Sequence, residues 1–296
     1  MRKTGQRVRT AVAVLTAAVL GLAGCDAVGG DAPDEAGLGR QRAEAAPAVV
    51  WDRSPASVAA VGDSITRGFD ACGVLTDCPE VSWATGSSPE VDSVAVRLLG
   101  TRAATRSWNH AVSGTAMADL PAQMERAVAH APELVTVMTG ANDACRSSTA
   151  AMTPVEDFRA DFEEALRTLR KALPKTQVYV ASIPNLLRLW SEGRTNPLGR
   201  QVWKLGICPS MLGDADALDA AAEQRRATVQ QRVRDYNAVL AEVCGADERC
   251  RYDGGAVFAY RFGTAQLSPW DWFHPSKNGQ ARLAEIAYRR ITAEKP

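Results

Sequence analysis

The sequence carries no net charge, because 34 lysines and arginines balance 34 aspartates and glutamates. It therefore offers no electrostatic footprint for nucleic acid, and no nucleic-acid partner is expected. It also lacks a phosphate loop. Gly62-Asp63-Ser64-Ile65-Thr66-Arg67-Gly68, after the first apolar run, fits neither GxGxxG nor GxxxxGK(S/T), so nucleotide binding loses its main support. There is no CxxC pair, and His110, His130 and His274 stand at no ligand-like spacing from any cysteine pair. No metal and no cofactor are expected. No tandem repeat at a solenoid period is visible, which removes the repeat architectures.

What is present is enough apolar material, 46% of 296 residues, for one large domain or two small ones. The neutral total hides an uneven start. Residues 1–24 contain Arg2, Lys3, Arg7 and Arg9 and no acid, so their removal leaves 30 basic residues against 34 acidic. The apolar run 11–24 has 14 residues, about 21 Å as a helix. That is short of a hydrocarbon core of roughly 30 Å, and the run fits a signal peptide better than a membrane span. Arg7-Val8-Arg9 is not a twin-arginine pair, so export by the general route is the simpler expectation.

The run ends in Leu22-Ala23-Gly24-Cys25, which resembles a bacterial lipobox. The resemblance implies cleavage before Cys25 and a diacylglyceryl group on its thiol. The alternative is an ordinary secretion signal with an incidental cysteine. Residues 25–50 are rich in Ala, Gly, Asp, Glu and Pro, show no apolar period, and read as a flexible tether. The folded domain is expected over residues 51–296. It would sit on the extracytoplasmic face of the membrane through the lipid anchor, or be secreted if Cys25 is not lipidated.

Six further cysteines, an even number, suit an exported, disulfide-bonded chain. Six cysteines allow about 15 connectivities. The short separations favour Cys72–Cys78 and Cys244–Cys250, which leaves Cys145–Cys208 by elimination.

Short continuous apolar runs alternate with segments of helical period, the pattern of a parallel sheet buried on both faces. Strands are expected at 58–61, 105–111, 134–139, 177–183 and, more weakly, 251–257. Thr153-Pro154-Val155-Glu156 reads as an N-cap, a proline at the first helical position and a capping-box acid. Phe158, Phe162, Leu166, Leu169 and Leu173 then mark one helix face, and Pro174 stops it. A second long helix carries Val229, Val233, Tyr236, Leu240 and Val243, and a last one starts near Ser276 with Leu283, Ile286 and Ala287 inward. Residues 184–216 read as one long irregular covering loop holding Trp190 and Trp203, anchored by Cys208.

Four short blocks carry the chemistry. Gly62-Asp63-Ser64 ends the first strand, where open parallel sheets gather their sites. Ser113-Gly114-Thr115 follows the second strand, Gly140-Ala141-Asn142-Asp143 the third, and Asp271-Trp272-Phe273-His274-Pro275-Ser276 precedes the last helix. A serine hydroxyl needs an imidazole within about 3 Å to act as a nucleophile. His274 is the best-placed candidate. Asp271, three residues earlier on a tight turn, can hold its Nδ1 proton. His110 reads as a satisfied loop histidine, His130 as a solvated helix end, and Asp63 and Asp143 as acids that fix their loops through backbone N–H groups.

The order of these blocks resembles the SGNH hydrolases, or GDSL esterase and lipase family, over essentially all of 51–296. The resemblance implies a three-layer α/β/α sandwich with a mainly parallel, flavodoxin-like sheet of about five strands. It also implies Ser64 as nucleophile, Asp271 and His274 as the other two members of a triad, and Gly114 and Asn142 in the oxyanion hole with the Ser64 N–H. Ile65 stands where many members have Leu.

The expectation is a serine esterase or lipase that works through an acyl-enzyme on Ser64, takes a small-molecule or lipid ester, and is a monomer. One alternative is a polysaccharide O-acetyl esterase, which needs only a small acyl site. Another is a surface binding protein that keeps the fold without turnover. Trp190, Trp203, Trp270, Trp272 and Phe273 suggest an apolar acyl pocket or lid edge.

Overall fold

The apolar runs become five parallel strands in a computed structural model that describes residues 49–294. They are β1 (Val58–Gly62), β2 (Ser107–Asn109), β3 (Leu134–Met138), β4 (Gln177–Val180) and β5 (Cys250–Tyr252). The order is β2-β1-β3-β4-β5, with every neighbouring pair parallel. This is the flavodoxin-like order, whose direction of winding reverses between β1 and β3. Val58 pairs with Ser107 on one side and Leu134 on the other. β1, β3 and β4 are buried at every position, as continuous apolar strands between two helical layers must be.

Between β1 and β2 the chain forms α1 (Ser64–Arg67), α2 (Val94–Leu99) and α3 (Ala103–Arg106). α4 (Leu120–Val128) leads to β3, and α5 (Ala141–Ala144) and α6 (Val155–Ala172) lead to β4. α7 (Leu186–Gly193), α8 (Pro197–Trp203), α9 (Pro209–Leu212) and α10 (Ala220–Gly245) precede β5; α11 (Ala256–Ala259) and α12 (Lys277–Thr292) follow it. α4, α6 and α10 pack side by side, and α12 packs on α2. Right-handed crossovers put these two groups on opposite faces of the sheet, giving the three-layer sandwich.

The helix faces follow the sequence period. Phe158, Phe162, Leu166 and Leu169 of α6 are buried, as are Val229, Val233, Tyr236, Leu240 and Val243 of α10. The start of α6 departs from expectation. Pro154 is the capping residue and makes no side-chain cap bond, because the Thr153 hydroxyl donates instead to Asp143 Oδ1 at 2.8 Å. Ser276 does cap α12, accepting from the Gly279 N–H.

Residues 184–216 are not one irregular loop. They hold α7, α8 and α9, started by Asn185, by Asn196 with Pro197, and by Pro209. The expected strand 251–257 stops at Tyr252, because Gly254 and Gly255 turn in the left-handed region and α11 begins at Ala256.

The structure contains the disulfides Cys72–Cys78, Cys145–Cys208 and Cys244–Cys250. The expected signal peptide 1–24, the lipidation site Cys25 and all of the tether but its last two residues lie outside the described residues. Among the described residues no helix is long and apolar enough to cross a membrane. Trp51 enters the fold at the N-terminal end of the sheet, where its indole N–H donates to the Ile291 carbonyl and the Arg251 guanidinium lies over its ring.

Candidate active site

The switch point between β1 and β3 is where an open parallel sheet leaves a crevice at the carboxyl ends of its strands. β1 reaches it at Gly62, whose φ of +144° puts it in the region glycine favours. A Cβ there would come within 2.1 Å of the Met138 carbonyl oxygen, so no other residue fits. Asp63 then caps α1, its Oδ1 accepting from the Ile65 N–H at 2.9 Å. Ser64 becomes the first helical residue, 7% exposed, with Oγ 2.9 Å from His274 Nε2.

His274 sits on the turn before α12. Its Nδ1 lies 2.5 Å from Asp271 Oδ2, while Asp271 Oδ1 accepts from the Phe273 and His274 N–H groups at 2.9 and 3.0 Å. With Nδ1–H donated to the carboxylate, Nε2 is left as the acceptor that faces Ser64. Burial pushes the Asp271 carboxyl up. The His274 charge, its ring N–H and the two backbone N–H groups outweigh that and hold it below the usual range. Burial likewise lowers His274, yet Asp271, then Asp70 and Asp63, raise it overall.

The third strand contributes Asn142 through the first turn of α5. One of its two amide hydrogens is donated to the Thr115 carbonyl at 2.9 Å, which orients the amide and leaves the second hydrogen free. Gly114 has a φ of +84°, but a Cβ there would meet nothing within 4 Å. Its left-handed backbone, rather than crowding, calls for glycine. The N–H groups of Ser64 and Gly114 donate to no acceptor among the described residues. Three N–H donors, on Ser64, Gly114 and Asn142, are thus left without a protein acceptor.

Several supports were not evident in the sequence. Buried Gln123 of α4 grips Gly62 at both ends, accepting its N–H at 2.7 Å and donating to its carbonyl at 2.9 Å, and also donates to the Thr115 hydroxyl. Gln280 of α12 donates to the Ile65 carbonyl and accepts from the Trp83 N–H. Asp70 is a further buried acid, and its carboxylate, the Asp271 carboxylate and the His274 ring each bring one oxygen or nitrogen within 4.8 Å of the others.

The remaining candidates fall into place or are corrected. Asp143 fixes its loop as expected, accepting from the Met117 N–H and the Thr153 hydroxyl. Burial raises Asp63 to about 7, with Asp143 adding to it and the Ile65 N–H and His274 opposing. His110 is not satisfied: its ring stacks on His130, which stacks on Trp108, and its buried Nε2 has no partner.

Trp190 and Trp203 are interior to the cover rather than a lid edge. The Trp190 N–H donates to the Ala215 carbonyl, and the Trp203 N–H donates to the Asp271 carbonyl at 2.7 Å. Gly193 and Gly199 let α7 and α8 close on Trp203 and Trp272. Cys145–Cys208 and the Ser210 hydroxyl on the Ala144 carbonyl hold the cover to α5. Beside His274 lies an apolar cavity lined by Ile65, Ala141, Leu186, Leu189, Phe262 and Phe273. It is small, at most roughly 310 Å³.

A family model described as GDSL-like lipase/acylhydrolase matches residues 58–287, a span that holds Ser64, Gly114, Asn142, Asp271 and His274. The chain belongs to the GDSL-like lipase/acylhydrolase family. Membership places it among the ester hydrolases.

No curated protein matches it in sequence. Among solved structures it is similar to an α/β hydrolase from the metagenome of Lake Arreo, Spain (19% identity, 80% of this chain and 94% of that one, TM-score 0.49). It is also similar to an extracellular lipase from Streptomyces rimosus (18%, 80% and 99%, 0.47) and to phospholipase A1 from Streptomyces albidoflavus NA297 (18%, 81% and 100%, 0.47).

Proposed function

We propose that this GDSL-family hydrolase cleaves carboxylic esters through an acyl-enzyme on Ser64. The observation that carries the reading is the continuous chain Ser64 Oγ to His274 Nε2, 2.9 Å, and His274 Nδ1 to Asp271 Oδ2, 2.5 Å. In the first half-reaction Ser64 Oγ attacks the ester carbonyl carbon as its proton passes to Nε2. The carbonyl oxygen becomes an alkoxide met by the N–H groups of Ser64 and Gly114 and the free hydrogen of Asn142. Collapse expels the alcohol, which takes the proton back from Nε2. Water then attacks the acyl-enzyme as Nε2 accepts its proton, and collapse breaks the bond to Ser64 Oγ, which takes that proton back from Nε2 as the acid leaves. Asp271 stays ionised throughout and stabilises the imidazolium that forms at each attack.

The test is hydrolysis of short p-nitrophenyl esters by the Ser64→Ala protein. Loss of turnover supports the reading, and a wild-type rate sinks it. A binding protein without turnover would show no hydrolysis in the wild type either. The narrowness of the cavity beside His274 favours a second, finer reading, an O-acetyl esterase, since an acetyl group needs little room. Rates that fall steeply from acetate to octanoate would support it, and rates that rise with chain length would refute it.

The anchor at Cys25 belongs to the same proposal. Its support is the Leu22-Ala23-Gly24-Cys25 motif at the end of the apolar run. Cys25→Ser is expected to release the protein from the membrane fraction; unchanged fractionation argues against lipidation.

A further inference from the structure

Asp70 lies six residues after Ser64 and two before the loop closed by Cys72–Cys78. Its backbone is left-handed, with φ at +56°, and is held from two sides. The Asp70 N–H donates to the Thr76 carbonyl at 3.0 Å, and the Ser268 hydroxyl donates to the Asp70 carbonyl at 2.7 Å. Ser268 lies three residues before Asp271, so this bond joins the loop after the nucleophile to the turn that bears the acid and the base. The Asp70 side chain is 1% exposed, and its Oδ1 has no hydrogen-bond partner. A buried carboxylate oxygen without a donor is costly, and two carboxylates packed together cannot both ionise readily. A proton on Asp70 answers both problems, because the carboxyl can then donate to Asp271.

We propose that Asp70 is a positioning residue for the Ser64–His274–Asp271 chain: its carboxyl shares a proton with Asp271, and its ionisation sets how strongly His274 holds a proton. The proposal rests on the reading of that chain given above. The groups facing the pair are few. From the turn before α12 come Asp271 and His274, from the end of β1 comes Asp63, and from its own loop comes the Leu75 N–H. Burial first, then Asp271, raises Asp70 to about 6, with His274 and the Leu75 N–H opposing. Asp271 is held low, so the proton resides on Asp70.

The sign follows directly. Below about pH 6 Asp70 is neutral and Asp271 alone supports the imidazolium. Above it a second anion stands close to the ring, and His274 keeps its proton to higher pH. A unit charge about 5 Å away moves a partly screened group by about one pH unit. The acid limb of kcat/KM therefore belongs to the Asp70–Asp271–His274 cluster rather than to a lone histidine.

Asp70→Asn keeps a donor toward Asp271 and removes the charge. Its acid limb in kcat/KM on a short p-nitrophenyl ester is expected to move to lower pH by about 0.5 to 2 units. An unmoved limb overturns the proposal, even where the plateau falls, because a purely structural role lowers the plateau alone. A second measurement serves if the variant does not fold: with Asp63, which also faces the ring, replaced as Asp63→Asn, the low-field Nδ1 proton of His274 should still titrate with two inflections, and a single one overturns the proposal. His274→Ala separates the two claims. Full activity in that variant sinks the underlying reading, whereas an inactive His274→Ala beside an unmoved Asp70→Asn limb sinks only this one.

Discussion

Asn142→Ala removes one of the three donors proposed to meet the alkoxide, and its cost can be worked from the bonds it makes. One amide hydrogen is committed to the Thr115 carbonyl at 2.9 Å, and the second points to no protein acceptor. Losing the second removes an interaction made in the transition state, which costs about 3 to 4 kcal/mol, or about 10² to 10³ in kcat. Losing the first frees the Thr115 carbonyl and costs about 1 kcal/mol of stability.

Because acylation and deacylation pass through the same alkoxide, whichever limits kcat is slowed. Binding of the ground-state ester is little affected, so KM should stay within about threefold. The assay is initial rates across substrate concentrations, with folded sites counted by a melt and by stoichiometric serine labelling. A kcat within about fivefold of wild type, on fully folded protein, would refute the assignment of Asn142 to the oxyanion hole.

Trp203→Phe keeps the ring and loses the bond to the Asp271 carbonyl; it is expected to lower kcat about three- to tenfold, from about 1 kcal/mol, without changing acyl-length preference. A shifted chain-length profile would return Trp203 to the acyl pocket. Asp63 is raised to about 7 from an ordinary 3.8, so the folded state binds an extra proton between those values and stability falls as pH rises through them. Asp63→Asn keeps the cap acceptor and should gain stability relative to wild type, on the order of a few kcal/mol, between pH 4 and pH 8 in urea titrations; an equal difference at both pH values contradicts this. Replacing Cys145 and Cys208 by serine opens a loop with a sequence separation of 63. The loss is expected to be about 4 kcal/mol against about 2 for Cys72–Cys78, read by the same titrations.

The central strands were legible because burial on both faces demands unbroken apolar runs, and β1, β3 and β4 begin where those runs begin. The edges were not. β2 is three half-buried residues after a short helix, and β5 ends at a pair of left-handed glycines, neither of which leaves an apolar signature. Thr153 carried a good local capping signal, but a partner ten residues away in sequence, Asp143, took its hydroxyl.

Ser64, Asp271 and His274 could be read because their blocks sit at strand ends and helix starts, positions the sheet topology itself brings together. Gln123, Gln280 and Asp70 could not. A glutamine on a helix or an aspartate in a loop reads as solvated surface, and only the partners, 61 residues away for Gln123 and 215 for Gln280, reveal otherwise. The tryptophans of the cover were visible as a cluster, but whether their rings faced substrate or core was decided by the bonds to Asp271 and Ala215.

The most direct test of the account is a fluorophosphonate adduct mapped by mass spectrometry. Trypsin should place one adduct on the peptide 54–67, at Ser64, in step with loss of esterase activity, and the Ser64→Ala protein should take up none. An active enzyme that stays unlabelled, or whose adduct and inactivation map to another serine, would contradict it.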